Sequence, residues 1–295
     1  MRFAAAPTQT PHTASSMKSI DTIQKMTSTA YKARLDGERI AFVPTMGALH
    51  EGHLTLVDEA RRRGDLVVMS IFVNAFQFGP GEDYEHYPRT LDDDARLAKE
   101  RGVDILFTPS HNEVYSSPPV VTLNPGALGK EWEGAARPHH FEGVLTVVAK
   151  LFHVVQPNVA VFGQKDLQQA SIVRAMVRDL NFPVEIVLCP IVREADGLAM
   201  SSRNRYLSAK EREIGLLLSK ALFALRDAFA KGERRASALE AIGWRMLERV
   251  PGLTPRYLAA VNAVNFQRVN LVSPGDAAIG AIKAGVTRLI DNILF

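Results

Sequence analysis

From residue 17 onward, short runs of consecutive apolar residues alternate with stretches in which apolar side chains recur every three or four positions. Residues 39–44 (RIAFVP) and 66–73 (LVVMSIFV) are apolar and rich in β-branched side chains, as strands buried on both faces of a parallel sheet should be. Residues 103–107 and 159–162 read the same way. Between the runs, residues 141–155 place Phe141, Val144, Leu145, Val148, Leu151, Phe152 and Val155 on one helix face. Residues 167–180 do so with Ile172, Val173, Met176 and Val177. Strands alternating with helices over this length predict an α/β fold, a Rossmann-like doubly wound parallel sheet.

Beyond Pro190 the texture changes. A polar segment, 193–208, leads into helical stretches at 210–231 and 236–250, and the alternating runs 257–263, 277–283 and 287–294 predict a small sheet. The chain is therefore expected to divide into a Rossmann-like domain, 17–192, and a second, smaller α+β C-terminal domain, 193–295, placed to act as a lid. Residues 1–16 carry no acid and much Ala, Thr, Ser and Pro, and their apolar run is too short for a secretory h-region. They are expected to form a disordered extension.

Composition narrows the function. Of 295 residues, 46% are hydrophobic and 23% charged, enough for a substantial core. The net charge of +3 is spread along the chain instead of gathered in a patch, so nucleic acid is not indicated. The one cysteine, Cys189, excludes an internal disulfide framework and any Cys-rich zinc site, and it fits a reducing cytoplasm. The longest nearly unbroken apolar run, 66–73, falls far short of the roughly 20 residues of a membrane helix.

Five segments carry candidate chemistry. The first, PTMGALHEGH at 44–53, follows a predicted strand and opens a helix. Gly47 lets the backbone approach a ligand, and the helix N-terminus offers free N–H groups to phosphate. His50 and His53 share a helix face, suited to a leaving pyrophosphate; taken alone, the spacing also suits two capping histidines. The metalloprotease motif H-E-x-x-H needs a different spacing. The second, Val73 to Gly79, ends a strand, where open α/β sheets bind ligands, and offers Asn74 and Gln77 as neutral hydrogen-bonding groups. It runs on to Thr90 and three acids, read as a capping-box-like helix start, with Asp93 or Asp94 as a water-mediated magnesium contact. The third, RPHHFEGV at 137–144, precedes the strongest predicted helix. The fourth, FGQKDLQQ at 162–169, puts Lys165 where a point charge meets phosphate and Gln169 on the same helix face. The fifth, VREADGLAMSSRN at 192–204, sets hydroxyls beside Arg203 on a Gly-containing segment, a mobile phosphate clamp or, alone, a capping loop. The segment 126–130 lacks phosphate-loop spacing.

Together the segments are specific. VPTMGALHEGH resembles the signature of nucleotidyltransferases that use an HIGH-like motif, and the chain from residue 17 to its end resembles the pantothenate synthetase family within them. The resemblance implies ATP contacts from Met46, Gly47, Ala48, Leu49, His50, Glu51, Gly52, His53, Gly163, Gln164, Lys165, Asp166, Val192, Met200, Ser201, Ser202 and Arg203. It implies pantoate contacts from Gln77, Gln169 and Asn74, with Gln77 also reaching β-alanine. His53, His50, Lys165 and Arg203 take the catalytic roles, and His140 matches the family histidine. Three positions depart from the family pattern: Ala75 stands for Pro, His139 for Gly and Gln164 for Glu.

The implied reaction joins (R)-pantoate to β-alanine at the expense of ATP, through a pantoyl adenylate, with Mg²⁺ on the triphosphate. A cytoplasmic homodimer is expected. Another HIGH-motif adenylyl- or cytidylyltransferase would share the histidine pair without needing Gln77 and Gln169. A nucleotide-sensing module would bind ATP without turnover.

Overall fold

A computed structural model describes residues 17–295; the extension expected at 1–16 lies outside the described residues. The first half of the chain winds strands β1 (Lys18–Ile20), β2 (Ile40–Thr45), β3 (Leu66–Ile71), β4 (Ile105–Phe107), β5 (Val159–Gly163) and β6 (Glu185–Cys189) into one sheet of order β1-β4-β3-β2-β5-β6. Every neighbouring pair is parallel. Helices α1 (Ile23–Leu35), α2 (Glu51–Arg63), α3 (Leu91–Glu100), α4 (His111–Val114), α5 (Glu133–Ala136), α6 (His140–Val155) and α7 (Leu167–Asp179) connect the strands.

Alternation along β2 explains the two buried layers. Ile40 and Phe42 point into a core shared with Met26, Phe107 and Phe152, while Ala41 and Val43 point into one with Val57, Met69 and Leu106. Because β2 lies between β3 and β5, the chain reverses its winding direction at β2. A crevice opens there beyond the carboxyl ends of β2 and β5, the position at which doubly wound sheets take ligands. The strongest apolar runs thus bring two candidate segments, 44–53 and 162–169, side by side.

The C-terminal part follows the expected α+β arrangement. Helices α8 (Ala209–Ala230) and α9 (Ala236–Leu247) pack through Leu218, Leu222, Leu225 and Leu239 on an antiparallel sheet of β7 (Leu253–Val261), β8 (Ala277–Ala284) and β9 (Thr287–Leu294). Ser208 and Glu211 form a capping box that starts α8 sharply after the polar segment. The other face of the small sheet, with Ala259, Val261 and Ile279, packs on Trp132 and Leu167 of the first half. The Trp132 indole donates to the Phe266 carbonyl at 2.9 Å. The join between the halves therefore has an apolar centre.

One close approach matters for the site. A Cβ at Gly143, in the first turn of α6, would lie 2.2 Å from the Phe76 carbonyl oxygen and 2.7 Å from the Gln77 nitrogen. Helix propensity alone favours Gly143→Ala by up to about 1 kcal/mol. The overlap with main chain leads us to expect the reverse, a loss of about 1–3 kcal/mol read as a lower urea midpoint. An unchanged or raised midpoint would show that the 74–77 turn yields freely.

Candidate active site

The turn after β2 is held from outside. Gly47 has φ +82° and Ala48 φ +51°, both in the left-handed region, and a Cβ on Gly47 would sit 2.9 Å from both Asp94 and Ile71. Asp94 stabilises this backbone: its carboxylate accepts from the amides of Ala48 at 2.9 Å and Leu49 at 2.8 Å. The side chain is buried, and its remaining contact is the Thr90 hydroxyl, which donates to it at 3.3 Å. This corrects two expectations. Thr90 does not cap α3 by a side-chain bond to a backbone amide, and Asp94 is turned into the protein. Asp93 faces solvent beside Arg96, 75% exposed. Neither aspartate lines the crevice as a magnesium contact would.

Beyond the turn, His50 is the N-cap of α2. Its Nδ1 accepts from the Gly52 amide at 3.1 Å, which leaves Nε2 to carry the proton. A Cβ on Gly52 would meet the His50 ring at 2.9 Å, so glycine there permits the cap. The rings of His50 and His53 pack together, tilted by 38°, with centroids 4.1 Å apart. Burial lowers His50 to about 4, helped by Lys165 and Arg205. Burial, then His50 and Lys165, lower His53 to about 3, and its Nδ1 is buried without a hydrogen-bond partner. Both are neutral imidazoles near pH 7.

At the end of β5, Lys165 stands 3.8 Å from Asp166. Gln169 faces the crevice, whereas Gln168 points away and is tied to the Glu133 amide and the carbonyls of Leu128 and Glu131. Gln164 is turned toward the small sheet, where its amide nitrogen donates to Asn292 at 3.0 Å.

The 74–77 turn presents one side chain and hides another. Asn74 is buried; its Nδ2 donates to the Gly143 carbonyl at 3.1 Å and to Gln77 Oε1 at 3.2 Å. That assignment leaves Gln77 Nε2 facing Met46 Sδ at 3.0 Å on the crevice wall. Asn74, expected at the ligand, thus orients Gln77 instead. The Gln77 carbonyl accepts from His140 Nδ1 at 2.8 Å and from Arg137 at 3.3 Å, and Arg137 donates to His140 Nε2 at 3.0 Å. Burial and the Arg137 charge lower His140 to about 4. His139, in the family's glycine position, is the exposed residue before α6, with φ +67°.

Segment 192–204 lies across the crevice. Ser202 donates to the Ala48 carbonyl at 3.0 Å, tying this loop to the turn after β2. The Arg203 guanidinium makes a two-bonded pair with Asp83, at 2.8 and 2.9 Å, and Arg137 pairs likewise with Glu82. Burial alone would raise the Asp83 carboxyl; the Arg203 pair outweighs it and holds it below its ordinary value.

These elements enclose a cavity of about 220 Å³ that continues into an interdomain cleft of about 840 Å³. Both are lined by Lys165, Asp166, Gln169, Ser201 and Arg203. Met46, His50, Gly52, His53, Gly163, Val192, Met200 and Ser202 also reach the smaller one. Gly47, Ala48, Leu49 and Glu51 do not: Leu49 is in the core and Glu51 pairs with Arg101. Sequence reasoning missed the apolar wall of Phe72, Val144, Val147, Leu151 and Phe162, whose residues read as ordinary core, and Asp83, whose partner lies 120 residues away.

Two outcomes follow from this geometry. Asp94→Asn keeps the shape but turns an NH₂ group toward one backbone amide, so we expect a loss of about 1–3 kcal/mol in urea unfolding; no change would remove the anchoring role. For the histidines, the folded pKa values lie below the unfolded value. Between about pH 4 and 6.5 the unfolded chain binds protons that these rings do not, so stability rises with pH across that window and levels off above it. Unfolding free energies from denaturant titrations at pH 5 and 7 should differ by about 1–2 kcal/mol for each of His50, His53 and His140, the difference shrinking when one is replaced by Gln.

Comparisons with known proteins show the family of the chain. The family described as Pantoate-beta-alanine ligase matches residues 18–294. The pantothenate synthetase of Geotalea daltonii is 48% identical over 276 residues, covering 94% of this chain and 98% of that protein. That of Acidobacterium capsulatum is 51% identical, covering 88% and 89%. Among solved structures, pantothenate synthetase from Thermus thermophilus superposes with a TM-score of 0.89 at 45% identity, covering 94% of this chain and 99% of that one. Pantoate-beta-alanine ligase from Francisella tularensis, complexed with beta-gamma ATP and beta-alanine, gives 0.77 at 31% identity, covering 94% and 97%. With the match spanning both halves and every candidate segment, this chain belongs to the pantoate-beta-alanine ligase family.

Proposed function

We propose that the chain condenses (R)-pantoate with β-alanine at the expense of ATP, giving pantothenate, AMP and pyrophosphate by way of pantoyl adenylate. The observation that carries the reading is the convergence of two kinds of surface on one cavity. Lys165, Arg203 and the two imidazoles suit a triphosphate; Gln77 and Gln169 beside the wall of Phe72, Val144, Val147, Leu151 and Phe162 suit a small hydroxy acid with a dimethyl carbon. An adenylyl- or cytidylyltransferase would not require that second surface.

A carboxylate and an ammonium do not condense in water at neutral pH, so the carboxylate must first be activated. A pantoate carboxylate oxygen attacks the α-phosphorus and the bond to pyrophosphate breaks. The protein's part is positioning and charge stabilisation. Gln77 Nε2, fixed by Asn74 behind it, and Gln169 orient the acid. Lys165 takes up the charge moving onto the leaving group. His50 donates through Nε2–H as a neutral imidazole. His53 is the proposed proton donor, and the triphosphate's negative charge opposes the causes that hold its pKa down. Arg203 is released to the phosphates as they displace the Asp83 carboxylate, which occupies the same fork. In the second step the free amine of β-alanine attacks the adenylate carbonyl, the carbon–oxygen bond breaks, and AMP leaves with that oxygen. We assign Gln77 to β-alanine as well as pantoate.

Magnesium is expected to arrive on ATP. No group of three or more His, Cys, Asp or Glu able to hold a metal exists among the described residues, and Asp93 and Asp94 are turned elsewhere. The residues present do not make a site for it by themselves, and no step of the reaction is routed through it. We also propose a homodimer and a cytoplasmic setting, where ATP is supplied and the free, buried Cys189 stays reduced. Light scattering gives a direct check on the dimer.

Purified protein with Mg²⁺ should exchange labelled pyrophosphate into ATP only when pantoate is present; exchange absent, or independent of pantoate, would refute the reading. Lys165→Ala should slow single-turnover adenylate formation by about 10²–10³-fold with the fold intact. A near-normal rate would reject its role.

A further inference from the structure

We propose that Asp291 and Asn292, on the last strand, are the positioning residues that hold Lys165 and the Arg203 loop in one arrangement. The inference rests on the functional reading above. It concerns residues that neither the sequence motifs nor the proposed mechanism uses.

Asn292 is 3% exposed, and its amide grips the main chain at the end of β5. Nδ2 donates to the carbonyls of Gln164 at 2.9 Å and Lys165 at 3.0 Å. Carbonyl oxygens only accept, so the orientation of this amide is fixed by chemistry, and Oδ1 must face the Gln164 side chain. A donor is needed there, and Gln164 Nε2 supplies it at 3.0 Å. A glutamate in that place, as in the family pattern, offers no such donor when ionised. Asn292 thereby fixes the backbone from which Lys165 projects.

The preceding residue grips the other segment. Buried Asp291 accepts two bonds from Arg193, at 2.7 and 2.9 Å. Arg193 opens the loop that ends at Arg203. Its guanidinium also donates to the Gly197 carbonyl at 3.1 Å and stacks on Phe223 at 4.6 Å, and its backbone bridges to Ala199. The Asn292 backbone N–H donates to the Asp291 carboxylate at 2.7 Å, joining the two grips. The two cations expected on one triphosphate come from different domains. This dipeptide is bonded to the Lys165 carbonyl and to Arg193 at the start of the Arg203 loop, and a displacement of about 1 Å there can cost about a hundredfold in rate.

Two measurements on the full-length protein test this. The first is amide hydrogen exchange without substrates. Asn292→Ala should speed exchange in 163–167 and Asp291→Asn in 193–200, while α8 keeps its protection; unchanged exchange in those segments overturns the proposal. The second is single-turnover adenylate formation. Asn292→Ala should lower the rate about tenfold or more with KM for pantoate little changed. Combined with Lys165→Ala it should add no further loss, because it acts through that lysine. Losses that multiply, or a change in KM alone, overturn it. If Asn292→Ala does not fold, Asn292→Asp keeps the shape, sets an oxygen against two carbonyls, and carries the same expectations. Wild-type protein with no pantoate-dependent exchange would fail the functional reading, leaving the hydrogen-exchange result to decide this one.

Discussion

A buried carboxylate is costly unless its oxygens are satisfied, and Asp94 meets that condition with the backbone of the turn after β2. Two amides that the left-handed bend at Gly47 and Ala48 would leave unpaired inside the protein find acceptors. The carboxylate finds these donors with no ion pair to a cation among the described residues. The remaining features are positioned by this exchange. The turn delivers His50 to the N-cap of α2, the cap leaves its proton on Nε2, and His53 follows one turn later against its ring. The Ala48 carbonyl is left free to accept from Ser202, so α3, the turn and the loop above it form one hydrogen-bonded stack.

The charges around the crevice are arranged on the same principle. Arg203 is held by Asp83, Arg137 by Glu82, and Lys165 stands near Asp166, while the two histidines at the wall are kept neutral by burial, with Lys165 adding to it. The site without ligand is therefore balanced locally. A triphosphate entering it exchanges with carboxylates instead of meeting uncompensated positive charge, and the electrostatic gain is the difference between the two sets of pairs. The neutral state of the histidines follows from the fold, and motif reading alone left it open.

Much of the architecture was legible because its signals are local. The β-branched runs of β2, β3 and β5 and the helical spacing of α6 and α7 gave the sheet and its crevice; motif spacing pointed to His50, His53 and Lys165, and the family resemblance to Gln77 and Gln169, all of which line the cavity. Short pieces were lost: β1 has three residues, and β6, EIVLC, opens on an exposed glutamate. The errors at the site share one cause. Whether a polar residue faces a ligand or a backbone depends on partners distant in sequence. Asn74 turns to Gly143, and Asp94 to Ala48 and Leu49. Asn292 reaches across 127 residues to Lys165, and no spacing rule connects the two.

Attack of a pantoate carboxylate oxygen on the α-phosphorus of ATP is tested most directly by following that oxygen. With pantoate labelled by oxygen-18 in its carboxylate, complete turnover with ATP and β-alanine should place one labelled oxygen in AMP, read by mass spectrometry, and leave pyrophosphate unlabelled. Label in a phosphate product other than AMP, or AMP without label, would contradict the account.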